Sequence, residues 1–99
     1  MYNTIAESKK AYKEAYAWGL KVQRACLLKK VDLTLVAGYC DANYCESSLA
    51  AFTVAVRIWD YENGRHISAE WASFKDPLDF EIGKEDVLAY LEEKGIIIK

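Results

Sequence analysis

Residues 58–71 read IWDYENGRHISAEW, and the way this stretch folds decides the fold of the chain. It holds the only histidine, His66, two of the three tryptophans, and Asp60, Glu62, Arg65 and Glu70. Such a crowd reads either as a reaction centre or as a hairpin with a decorated face. Asn63-Gly64 favours the hairpin, because Asn-Gly between alternating apolar residues is the strongest short signal for one. A two-residue loop there would set Glu62 opposite Arg65, Tyr61 opposite His66, Asp60 opposite Ile67, Trp59 opposite Ser68 and Arg57 opposite Glu70. Successive side chains point to opposite faces, so the two strands sort into two sets. One is apolar: Phe52, Val54, Val56, Ile58, Ile67, Ala69 and Trp71. The other contains Thr53, Ala55, Arg57, Trp59, Tyr61, His66, Ser68, Glu70, Ala72 and Phe74. Each strand taken alone selects the same inner face. Asp60, Glu62 and Arg65 then lie on the opposite face from His66 and Glu70, which dissolves most of the apparent cluster.

Outward from the hairpin, the N-terminal residues 1–30 read as one long amphipathic helix. Thr4 and Glu7 have the spacing of a capping box, and no proline interrupts the run to Lys30. At 100° per residue, Ile5, Ala11, Tyr12, Ala15, Tyr16, Trp18, Gly19, Val22 and Cys26 share one arc, the expected core face. Lys9, Lys10, Lys13, Lys21 and Arg24 share a separate arc, with Leu20, Leu27 and Leu28 in or beside it. DLTLVAGYC, residues 32–40, switches to period two and predicts the first strand; DANYCESS, residues 41–48, is a polar loop. The second strand is expected from Leu49 to Asp60 and the third from Arg65 to Phe74, with KDP as its stop and LDFEI as a short extended piece. Residues 83–99 predict a C-terminal helix capped by Gly95, followed by an apolar tail that would add an edge strand. The fold class is α+β: one domain, α–β–β–β–α, a three-stranded antiparallel meander over 31–82 with a single layer of helices on one face.

Composition narrows the function classes. Ninety-nine residues, 53% hydrophobic and with one proline, suit a single ordered domain. No apolar run approaches the ~20 residues of a membrane span. Three cysteines, at 26, 40 and 45, without a secretory signal point to reduced thiols and a cytoplasmic protein, although Cys40 and Cys45 are near enough in sequence to bridge under oxidation. They do not make a zinc site with one histidine, and no glycine-rich phosphate loop exists, so neither metal nor cofactor is expected. Residues 1–30 carry seven basic residues against two acids, and residues 31–99 carry six against thirteen, charges of +5 and −7 within a net −2.

Catalysis would need His66 as a base beside a nucleophile, and Ser68 lies about 6–7 Å along the strand, beyond direct reach. An enzyme built around His66 is therefore the weakest of three readings. The second is a nucleic-acid-binding domain using Lys9, Lys10, Lys13, Lys21 and Arg24. The α–β–β–β–α order is similar to that of double-stranded RNA-binding domains. That family carries a basic N-terminus on its second helix and a Gly-Pro-x-His type loop. The segments here are the acidic GKEDVLAYLEE and DANYCESS. The first reading is a non-enzymatic protein-binding or inhibitor module, with self-association through the first helix into a homodimer as its commonest form, and with Leu20, Leu27, Leu28, Arg57, Trp59, Tyr61 and His66 as contact residues. In size and layout the chain resembles the small inhibitors encoded by phages and mobile elements, anti-CRISPR proteins among them. That resemblance implies inhibition by occupying a partner.

Overall fold

The computed structural model describes residues 5–40, 51–73 and 75–98, with backbone alone at 5, 39, 40 and 51. The expectations for Thr4 as a cap, for the loop 41–48 with Cys45, for the strand start at Leu49 and for Phe74 lie outside the described residues. The elements run α1 (Ile5–Cys26), β1 (Asp32–Cys40), β2 (Ala51–Asp60), β3 (Arg65–Ala72) and α2 (Pro77–Glu93). The strands form one antiparallel sheet in the order β1-β2-β3. This is the α–β–β–β–α meander that the hydrophobic periods predict.

Both helices lie on the inner face of the sheet. On α1, Gly19 brings the backbone against Leu35 and Val56; on α2, Gly83 brings it against Ala69 and the Ser68 carbonyl. Phe52, Val54, Val56, Ile58, Ile67, Ala69 and Trp71 are all buried, together with Val22, Phe80, Val87 and Leu91 from the helices. The two helices meet through Trp18 and Phe80, whose rings cross edge to face at 5.6 Å. Ser8 shares the core arc of α1 and is fully buried, a polar residue at a position where the helical period calls for an apolar one.

The hairpin register differs from the expected one. Asp60 pairs with Arg65, Trp59 with His66, Ile58 with Ile67, Arg57 with Ser68 and Ala55 with Glu70. The loop is the four residues Tyr61–Gly64 rather than two. A type I′ turn needs positive φ at both central residues, but of Asn63 and Gly64 only Gly64 has it, at 61°. Asp60 supplies the alternative: its carboxylate accepts the Asn63 backbone N–H at 3.4 Å, Asn63 Nδ2 at 2.8 Å and Arg65 Nε at 3.2 Å. Pairing shifts by two residues, which preserves which side chains face inward.

Three element boundaries also move. α1 ends at Cys26, not Lys30, with Leu27 and Lys29 donating to the carbonyls three residues back, Arg24 and Cys26. Leu27 and Leu28 thus belong to a turn rather than to the helix. α2 starts at Pro77, six residues before Gly83, so the segment expected to be extended is helical. Asp76 is its N-cap, accepting the Leu78 N–H at 3.0 Å, and Pro77 occupies the first turn, where its missing N–H costs nothing. At the other end Gly95, φ 79°, and Ile96 donate to the carbonyls of Glu92 and Leu91, a complete Schellman closure. That closure buries Ile96 against the core, and residues 96–98 form no strand.

Candidate functional site

With both helices on the inner face, no described element covers the outer one. At its hairpin end, on the central strand, stands Trp59, half-buried, opposite Asp32 on β1 and His66 on β3. Its ring lies 4.5 Å from the His66 ring and meets Tyr61 edge to face at 5.9 Å and 88°. Tyr61 has just left the ladder, and its hydroxyl donates to Asp32 Oδ2 at 2.6 Å. That bond, followed by the charge of Asp32, raises the Tyr61 phenol above its ordinary pKa, so it stays protonated and keeps donating. Tyr61 nevertheless remains 72% exposed. Asp32, Thr34, Arg57, Trp59, Tyr61 and His66 line a shallow depression of about 320 Å³.

Arg57 and Glu70 do pair, but not as direct cross-strand partners. Arg57 Nε and Nη2 reach Glu70 Oε1 diagonally at 3.0 and 2.8 Å, and Lys75 Nζ lies 3.8 Å from the other oxygen. In this exposed setting the pair contributes at most about 1 kcal/mol and fixes the edge of the depression.

A second, larger hollow of about 630 Å³ adjoins the first at the end of the sheet, and Asp32, Trp59 and Tyr61 line both. Lys29, Lys30 and Lys94 contribute to its wall. Lys94 approaches Glu62 at 3.4 Å, and the charge of Glu62 raises its pKa. Lys29 and Lys30 continue the turn that carries Leu27 and Leu28, which are 73% and 95% exposed. Two groups of residues that sequence reasoning kept apart therefore converge at one end of the molecule. Leu20 does not join them; it is half-buried on the flank of α1. Asp32 and Thr34 were missed, since only the β1–β2 register brings them to Trp59, and nothing local in DLTLVAGYC signals it.

Asp60 sits beneath this surface on the inner side, 1% exposed. The side-chain hydrogen bond from Asn63, and then Arg65, holds its carboxyl below the usual carboxylate range. Its protonation in the native protein thus lags that of the unfolded chain. The stabilisation is complete above the ordinary carboxylate pKa of about 4, and is lost as the pH falls through the lower native value. Asp60→Asn should flatten this acid limb: melting temperatures followed from about pH 5 to pH 2 should fall less steeply in the variant. An identical slope in both proteins would contradict the assigned role of the carboxylate.

Lys9, Lys10, Lys13, Lys21 and Arg24 are all exposed on the side of α1 away from the sheet. Among the described residues none of the five has an ion-pair partner, and from Lys9 to Arg24 the ridge is about 22 Å long at 1.5 Å per residue.

No family model matches this chain, and no curated protein or solved structure matches it either.

Proposed function

We propose that this chain is a small, non-enzymatic protein-binding module that seats a partner on the outer face of its sheet. Trp59 and Tyr61 are the anchors, Arg57 and His66 the rim on one side, and Leu27 and Leu28 a further contact at the same end. The observation that carries the reading is the aromatic cluster left uncovered while both helices occupy the other face. Large aromatics of this kind supply contact area with few rotatable bonds, and here the Tyr61–Asp32 bond and the packing on His66 order them before any partner arrives. Inhibition by masking the partner's surface is the effect that the chain's size and layout favour.

The test uses the whole chain as bait in a lysate of its source, identifies the retained protein, and measures affinity by calorimetry. Trp59→Ala should weaken binding by about 30-fold or more, the ~2 kcal/mol of an interface hot spot, with an unchanged circular dichroism spectrum. A Trp59→Ala/Tyr61→Ala variant that binds as tightly as the parent would overturn the proposal.

The exposed basic ridge supports a second reading, in which α1 follows a phosphate backbone. Its affinity for duplex or single-stranded nucleic acid should then fall steeply with salt, and Lys9→Glu/Lys13→Glu/Arg24→Glu should abolish it. A gel-shift assay that stays blank at low salt removes this reading.

A further inference from the structure

The two edges of the sheet are built differently. β3 presents Arg65, His66 and Glu70 along its length, and α2 packs against it. Charges on an edge discourage pairing with another chain. β1 is nine residues long and pairs with β2 at every position without a bulge; its one charged residue, Asp32, is at its end, and it contains no proline. Among the described residues nothing pairs with its other side. The core is also unfinished there. On the inner face Val54, Val56 and Ile58 of β2 are fully buried, while their β1 neighbours Ala37, Leu35 and Leu33 are only half-buried. Above them, α1 crosses β1 at Gly19, and the helical period puts Tyr16, Leu20 and Gln23 on the flank that overhangs the free edge. Tyr16 and Leu20 are half-buried, and the flank carries no acid. Val36, on the outer face of the same strand, is 45% exposed.

We infer that β1 is a dimerisation edge, and that a second copy of this chain pairs with it antiparallel about a two-fold axis near Leu35. The strand suits its own copy. In that register Leu35 faces its equivalent, Leu33 faces Ala37, Thr34 faces Val36 and Asp32 faces Gly38, so inner residues stay inner in both subunits. Leu33 meets the smaller Ala37, the β-branched Thr34 and Val36 meet each other, the two Leu35 side chains meet at the axis, and the two Asp32 carboxylates end up about 20 Å apart at opposite ends of the joint. The α1 flanks approach across the same axis, where Tyr16 and Leu20 can cover the half-buried inner residues of β1, with Gln23 and Lys9 beside them at the solvent side. The six-stranded sheet that results keeps both outer faces free.

Sedimentation velocity and light scattering of the whole chain over a wide concentration range should give a dimer that dissociates on dilution. Thr34→Lys/Val36→Lys, which crowds four ammonium groups around the axis from exposed positions, should be monomeric at every concentration with unchanged circular dichroism. Trp59→Ala, which disarms the outer face, should leave the dimer intact. In the parent protein, amide exchange along β1 should slow as concentration rises, a readout that does not depend on either variant folding. A parent chain that is monomeric throughout, a dimer that survives the double lysine substitution, or β1 amides indifferent to dimer formation would each overturn the inference.

Discussion

Gly83→Val is expected to cost about 3 kcal/mol of stability or more, above the usual ~1–3 kcal/mol of over-packing. A Cβ at this position would stand 2.7 Å from both the Ala69 Cα and the Ser68 carbonyl oxygen. Those are backbone atoms of β3, so no rotamer change relieves the overlap. α2 would have to lift off the sheet, withdrawing Phe80, Val87 and Leu91 from the core. Glycine in a helix interior is itself unfavourable by about 1 kcal/mol against alanine, and the close approach is what makes it the fitting residue. Gly83→Ala gains that propensity and still meets the strand, so its loss should be smaller than that of valine. Urea denaturation measures both, and a Gly83→Val midpoint equal to that of the parent would contradict the contact.

The second large effect separates two neighbours in sequence. Ile58 is fully buried between Leu33 and Ile67 in the central strand, and Ile58→Ala should lose about 2–5 kcal/mol through transfer and cavity terms. Trp59, one residue on, points the other way, and Trp59→Ala should cost far less stability while removing the proposed anchor for a partner. The same pair of variants therefore reports opposite faces: one loses the fold with binding as a consequence, the other loses binding with the fold retained. Comparable unfolding free energies for the two would mean that the faces are not sorted as described.

This sorting was legible in the sequence because it depends only on parity. Val54, Val56 and Ile58 alternate with Ala55, Arg57 and Trp59, and any shift of two residues leaves the alternation intact. Register was not legible for the same reason. Asn63-Gly64 marks the turn, but whether the loop holds two residues or four depends on φ at Asn63 and on the Asp60 carboxylate gathering Asn63 and Arg65. Those donors look like ordinary polar surface groups until the turn is closed. Lys75-Asp76-Pro77 read only as the stop of a strand followed by an extended piece, but Asp76 and Pro77 are the N-cap and first turn of α2, so the same residues that follow β3 also start the helix. Gly83 read as a helix boundary because intrinsic propensity disfavours it, whereas packing against β3 is what selects it. For the site, the aromatics were visible as outward-facing residues on one hairpin. Asp32, Thr34 and the Lys29-Lys30 turn joined them only through strand pairing across the sheet.

Chemically induced dynamic nuclear polarisation with a flavin dye tests the central claim most directly, because it enhances only the tryptophan, tyrosine and histidine rings that the dye can touch. In the unbound chain the account predicts enhanced signals from Trp59, Tyr61 and His66 and silence from Trp71. Silent Trp59 and Tyr61 beside a polarised Trp71 would contradict it.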